Sequence, residues 1–304
     1  MEYEFTKPQL DLSSAAFSAG EGSSPQRDNG MGVDSEQPGE FSPEDLWECY
    51  ENHREIVTRS ILSQREAESD RLVVLGTGEC LDIDLKALSE SFAHVKLVDI
   101  VSSTNGIERQ GVSGKNVDFV GGVDLSGVFE ELNQYRREPS RRLLDEIIHK
   151  ADDFVIDLNE EFDVVASTCL LSQIINHGFE CVGMEEHRFI ELITALRIRH
   201  LETMLGLLKP GGRGVLVTDF VASTSLEELK TAKVGELSKL LANAIQAKNY
   251  FHGLNPKRVH GVFAEERIAK QVTSASLSNP WRWIATPDLV YACFAMLFEK
   301  KADA

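Results

Sequence analysis

The sequence predicts a doubly wound α/β domain, a sheet of largely parallel strands with helices on both faces. Two observations carry this. The runs VVLG (73–76), FDVVAS (162–167) and GVLVTD (214–219) are nearly continuous in apolar residues rather than alternating. Strands covered on both faces have that pattern. Residues 72–99, LVVLGTGECLDIDLKALSESFAHVKLVD, read as a strand, a Gly-x-Gly turn, a helical segment and a second apolar strand ending in an acid. Such a unit builds a site for a nucleotide-like ligand at the carboxyl edge of a parallel sheet.

The elements follow in order. Residues 1–41 are rich in Ser, Gly, Glu, Asp and Pro without sustained periodicity. They read as a disordered arm, with ordering over the site on ligand binding as the alternative. Ser42-Pro43-Glu44-Asp45 places an N-cap, a first-turn proline and two acids in sequence, which starts a helix. This entry helix carries Leu46, Trp47, Tyr50, Ile56, Val57, Ile61 and Leu62 within an entry segment of 42–68. Strands are expected at 71–76, 95–99, 117–121, 162–167 and 214–219. Helices are expected at 84–92, across 126–151 with a break at Pro139, and over 185–208. Lys209-Pro210-Gly211-Gly212 stops the last of these. A helix at 226–249 belongs to a helical lid region of 220–280, and residues 281–285 and 291–299 read as a strand pair.

Composition narrows the function. The 304 residues carry a net charge of −18, which opposes binding to polyanions. Arg136, Arg137, Arg141 and Arg142 form the one dense basic cluster, interrupted by Glu138 and without interleaved aromatics. It reads as a solvated helix face, so nucleic acid is not expected. No apolar run reaches the ~20 residues that span a bilayer, and the acidic N-terminus is not a signal peptide. The five cysteines include no C-x-x-C pair, so reduced thiols in a cytoplasmic protein, without structural zinc, are expected.

The glycine turn selects among nucleotides. A dinucleotide site wants a third glycine where Leu81 stands, and no Gly-Lys-Ser/Thr follows for a P-loop. Asp99 sits where a carboxylate can accept hydrogen bonds from both ribose hydroxyls.

VVLGTGE, VKLVDI, Gly122-Val123-Asp124-Leu125, FDVVASTCLLSQI, LLKPGGRGVLVTD and YACFAMLFEKK stand in register along residues 70–300. Together they resemble the class I S-adenosylmethionine-dependent methyltransferases. The resemblance implies a seven-stranded, mostly parallel sheet whose last strand lies antiparallel beside the fifth. It implies S-adenosyl-L-methionine as cofactor, held by Leu75, Gly76, Thr77, Gly78, Glu79, Asp99, Ile100, Val123, Asp124, Ser167, Thr168 and Cys169. Val74 and Cys80 depart from the family's acid and third glycine. Glu79 either contacts the amino-acid part of the cofactor or serves only the helix dipole.

His177 and Asp219 are the candidate catalytic residues; each has helix or segment capping as its alternative. Tyr50, Gln173 and His252 are candidate substrate contacts. Cys169 has a second reading as a small buried residue. His187 and His200 read as structural, and Trp281 and Trp283 as packing on one face of a strand. STCLLSQ supplies no carboxylate cluster, so no metal is expected. The expected activity is methyl transfer to O or N of a small-molecule acceptor. The alternatives are a cofactor-binding regulatory module without turnover and methylation of a protein side chain.

Overall fold

The computed structural model describes residues 41–112, 116–153 and 156–302. The expected arm of 1–41 lies outside the described residues, apart from Phe41.

Eight strands form one sheet: β1 (Arg71–Leu75), β2 (His94–Val98), β3 (Val117–Val120), β4 (Phe162–Thr168), β5 (Leu208–Ala222), β6 (Val272–Leu277), β7 (Trp281–Thr286) and β8 (Leu289–Lys300). Their order is β3-β2-β1-β4-β5-β8-β6, with β7 also paired to β8. The pairs among β1 to β5 are parallel, and β8 is antiparallel to β5, β6 and β7. The antiparallel strand beside the fifth is the one the resemblance implies. The helices are α1 (Pro43–Cys49), α2 (Glu51–Leu62), α3 (Leu85–Ser91), α4 (Asn105–Arg109), α5 (Phe129–Arg137), α6 (Arg141–Asp153), α7 (Leu170–Val182), α8 (Phe189–Leu207), α9 (Val234–Gln246), α10 (Pro256–Gly261) and α11 (Glu266–Ala269).

The apolar runs explain the layering. Successive side chains of a strand point to opposite faces. Val73 and Leu75 of β1 pack with Leu171 of α7 and Leu201 and Met204 of α8. Leu72 and Val74 pack on the other face with Val57 and Ile61 of α2 and Leu85 and Leu88 of α3. A third cluster joins α5 and α6 to α7 and α8 through Leu132, Leu144, Ile147, Ile174 and Leu196. Among the described residues no helix is long and apolar enough to cross a membrane.

Four expectations need correction. The entry helix is two helices meeting at Tyr50, although its start is as read: Ser42 Oγ accepts the Asp45 N–H and the Asp45 carboxylate accepts the Ser42 N–H. The helix expected at 226–249 is a 3₁₀ turn (Glu227–Lys230) followed by α9. Fully buried Leu229 belongs to that turn, and the helical spacing of Leu237, Leu241 and Ala244 belongs to α9 alone. The lid region of 220–280 is not helical throughout, because Val272–Leu277 is a strand on the outer edge of β8. Its mostly polar, exposed sequence lacks the apolar signature of the inner strands. Finally, β5 runs from Leu208 to Ala222, and residues 209–212 break its register with β4 instead of preceding the strand.

Candidate functional site

The carboxyl edge of β2, β1, β4 and β5 gathers most of the residues singled out in the sequence. Gly76 and Gly78 both have positive φ, +75° and +46°, conformations that glycine adopts without steric cost. The Gly78 N–H donates to Asp99 Oδ2 at 2.7 Å and the Val101 N–H to Asp99 Oδ1 at 2.8 Å. Buried Asp99 therefore ties the glycine turn to the end of β2, and each oxygen keeps further accepting capacity. A Cβ on Gly78 would meet nothing within 4 Å, so the turn faces open space. Thr77 Oγ1 is buried without a hydrogen-bond partner. Ile100, next to Asp99, leaves 36% of its surface exposed. An acid, an orphan hydroxyl and an exposed apolar side chain on an open glycine turn suit a nucleoside.

The turn is braced from below. Gln110 Nε2 donates to the Cys80 and Ile83 carbonyls, and its Oε1 accepts the Leu85 N–H. α4 packs so closely that a Cβ on Gly106 would lie 2.1 Å from the Glu79 carbonyl oxygen.

Other candidates are engaged elsewhere. Asp124 accepts from the Ser126 N–H and hydroxyl and from the Phe129 N–H, capping the start of α5. Val123 is partly buried beside it. Glu79 is exposed and lies 3.4 Å from Arg109. The Ser167 hydroxyl is buried against His200 Nε2 of α8 at 2.8 Å. Thr168 donates to the Gly76 carbonyl, joining β4 to the glycine turn, and Leu75 is fully buried in β1. Gln173 is exposed on α7. His177 stacks on Phe129 with ring centroids 4.5 Å apart, and burial lowers its pKa. His252 packs on Phe179 and Phe189. The structure thus brings neither histidine to Asp219.

Asp219 instead joins a buried group at the ends of β5, β7 and β8. A bulge at Phe220 breaks the β5–β8 register just after Asp219, a device that re-aims side chains near functional sites. The Asp219 carboxylate lies against the Ser172 hydroxyl. Burial raises its pKa to about 6 against that hydrogen bond. Cys169, in the left-handed region with φ +51°, turns the chain from β4 into α7. Its thiol is raised by Cys293 and by burial.

The sequence reading missed the rest of this group. His53 is fully buried and stacks on Trp283 at 4.7 Å, with Nε2 3.4 Å from Asp82 Oδ1. Trp283 also meets Tyr50 at 5.2 Å and Tyr291 at 5.0 Å. The Trp281 indole N–H donates to His53 Nδ1 at 3.1 Å. Burial lowers the His53 pKa, but Asp82 and Cys169 outweigh it and raise the value to about 9. An indole only donates, so Trp281 approaches His53 through Nδ1 while Nε2 faces Asp82. One signal was available: Tyr50, His53, Val57 and Ile61 recur at helical spacing on the apolar side of the entry segment.

The entry helices are fastened across the glycine loop. Arg54 donates to the Trp47 and Leu81 carbonyls, Thr58 Oγ1 accepts the Asp84 N–H, and Asn52 donates to the Arg282 carbonyl. Among the described residues no group of three or more His, Cys, Asp or Glu side chains could hold a metal ion.

No family model matches the chain, and no curated protein matches it. Solved structures are similar at low identity. The N-methyltransferase NodS from Bradyrhizobium japonicum WM9 in complex with S-adenosyl-L-homocysteine is 10% identical over 84% of this chain and 98% of that chain, with a TM-score of 0.41. A SAM-dependent methyltransferase from Methanosarcina mazei is 13% identical over 80% and 98%, with a TM-score of 0.44. The magnesium protoporphyrin IX methyltransferase from Synechocystis PCC 6803 with bound SAH is 10% identical over 87% and 90%, with a TM-score of 0.43.

Proposed function

We propose that this chain is an S-adenosyl-L-methionine-dependent methyltransferase for a small-molecule acceptor. The observation that carries the reading is the hydrogen bond from the Gly78 N–H to the buried Asp99 carboxylate, beside open space and exposed Ile100. Asp99 would hold the ribose hydroxyls, Ile100 would cover one face of the base, and Thr77 would supply its unpartnered hydroxyl. Three strand spacings, about 14 Å at ~4.8 Å each, separate the β2 end from the β5 end. That span suits a nucleoside extended by an amino-acid chain, with its reactive centre toward Asp219.

When bound, the cofactor supplies an electrophilic methyl group that needs no acid from the protein. This chain's residues then have three tasks. They fix the nucleoside, hold the acceptor in line with the transferred methyl, and take up the proton that the acceptor loses. Asp219 would serve the last task, and Tyr50 and the two entry helices would shut out water. His177, Gln173 and His252 lie outside this arrangement. The test is a comparison of thermal stabilisation by S-adenosylmethionine and by NADH. The reading expects stabilisation by the former alone; stabilisation by NADH alone would replace it with a nicotinamide site.

A further inference from the structure

We propose that β6 is the seam of a two-fold homodimer: the strand pairs antiparallel with β6 of a second copy of this chain, and the two sheets continue as one. The proposal is independent of the methyl-transfer reading.

The register of β6 carries it. Val272 pairs with Lys300 of β8, and Ser274, Ala275, Ser276 and Leu277 pair with Glu299, Phe298, Leu297 and Met296. Successive residues of β8 thus face Val, Ser, Ala, Ser and Leu, and Thr273 is the extra residue of a bulge. The bulge makes the ladder symmetric. Ser274 and Ser276 lie one position either side of Ala275, and Val272 and Leu277 lie two positions either side.

The faces agree with that symmetry. Val272 and Ala275 pack, partly buried, against the core that holds Leu201 and Met204 of α8. Leu277, two residues past Ala275, shares their face and is 43% exposed. Ser274 and Ser276 are exposed on the opposite face. A two-fold axis perpendicular to the sheet at Ala275 therefore sets Ala275 against Ala275, Val272 against Leu277 and Ser274 against Ser276, each pair on one face. Cross-strand pairs of matched character stabilise a sheet, and a two-fold interface has to be self-complementary in this way.

The backbone is in phase as well. The Gln271 carbonyl accepts the Lys301 N–H, and the Ser278 N–H donates to the Ala295 carbonyl. Hydrogen-bonded positions alternate along an antiparallel strand, so Ser274 and Ser276 also turn their backbone groups to β8. Val272, Ala275 and Leu277 turn theirs outward, where among the described residues no strand pairs with β6. The residues that oppose one another across the axis on the apolar face are those whose N–H and C=O groups point across it.

The charge pattern selects a second copy. Open edges are normally blunted by charge, proline or a covering helix. β7 also pairs with β8, and there Asn52 of α2 covers the strand by donating to the Arg282 carbonyl. Residues 271–279, QVTSASLSN, hold neither charge nor proline, in a chain of net charge −18. Two such acidic chains repel one another, and this uncharged stretch lets them meet edge to edge. The five paired positions a side fall short of the about 20–30 residues a side of a standard interface, so association depends on concentration.

The test is sedimentation velocity of the full chain across a dilution series, with circular dichroism as the check on folding. The wild type should shift from dimer toward monomer on dilution. Ser274→Lys combined with Ser276→Lys sets like charges against each other across the axis and should leave monomer alone. Ser274→Lys combined with Ser276→Glu sets unlike charges against each other and should keep the dimer. Both positions are exposed, so both variants should keep the wild-type spectrum. A wild-type monomer at every concentration overturns the proposal and leaves the edge to another occupant. A dimer that survives the paired lysines places the interface elsewhere and overturns it too. Loss of the dimer in both variants overturns the register centred on Ala275.

Discussion

Asp99 and Asp219 are both buried carboxylates, and their partners set them apart. Asp99 accepts two backbone N–H groups; Asp219 lies against the Ser172 hydroxyl and its own backbone N–H. Asp99→Asn turns one carboxylate oxygen into a donor facing an N–H. It should cost about 1–3 kcal/mol of stability, measured by urea unfolding, and remove most affinity for S-adenosylhomocysteine. Asp219 behaves in the opposite way. Its folded pKa is raised to about 6, so the stability it contributes is present below the unfolded carboxylate range and is lost as pH rises toward 6. Asp219→Asn should therefore stabilise the chain at neutral pH by on the order of 2 kcal/mol. It should also flatten the stability profile between pH 4 and about 6. Destabilisation at neutral pH would show that the carboxylate is paired. The position of Asp99 was legible in the sequence because an acid about 20 residues after Gly-x-Gly falls at the end of the second strand of such a unit. His53 and Asp82 were not: the contact from His53 to Trp281 spans 228 residues, and no local spacing encodes it.

Among the elements, the buried strands were readable and the edges were not. β1, β4 and the core of β5 announce themselves because both faces are covered. β6 pairs with β8 along the outer edge of the sheet, and its exposed Thr, Ser and Leu positions give no apolar signal. The split of the entry helix at Tyr50 was equally hidden, since the apolar spacing runs through it. α4 shows why a short element matters to the site. A Cβ on Gly106 would meet the backbone of Glu79, which cannot move without shifting the glycine turn. Gly106→Ala should cost about 1–3 kcal/mol by overpacking and weaken cofactor binding with it. Unfolding and binding titrations of that variant check both effects; unchanged values in both would show that α4 is free to shift.

Across the whole molecule, one buried base joins the sheet to α8. His200 is fully buried, and burial lowers its pKa to about 4. Its stabilising effect is complete above the unfolded value of 6.5 and is lost as pH falls toward 4. The loss should reach about 3 kcal/mol. His200→Gln should remove that part of the acid sensitivity in denaturation profiles; an unchanged profile would assign it to other groups. The candidate site is assembled across the sheet. β2, β1, β4, β5, β8 and β7 contribute in spatial order. The glycine turn and Asp99 were legible as a contiguous motif, whereas the buried group at the ends of β5, β7 and β8 is built from residues 50, 53, 82, 219, 283 and 291, which only the fold brings together.

The most direct measurement is calorimetric titration of S-adenosylhomocysteine into the wild-type chain and into Asp99→Asn. The account predicts one-to-one, micromolar binding to the wild type and at least a tenfold loss in the variant. Absence of wild-type binding, or equal affinity in both, would contradict it.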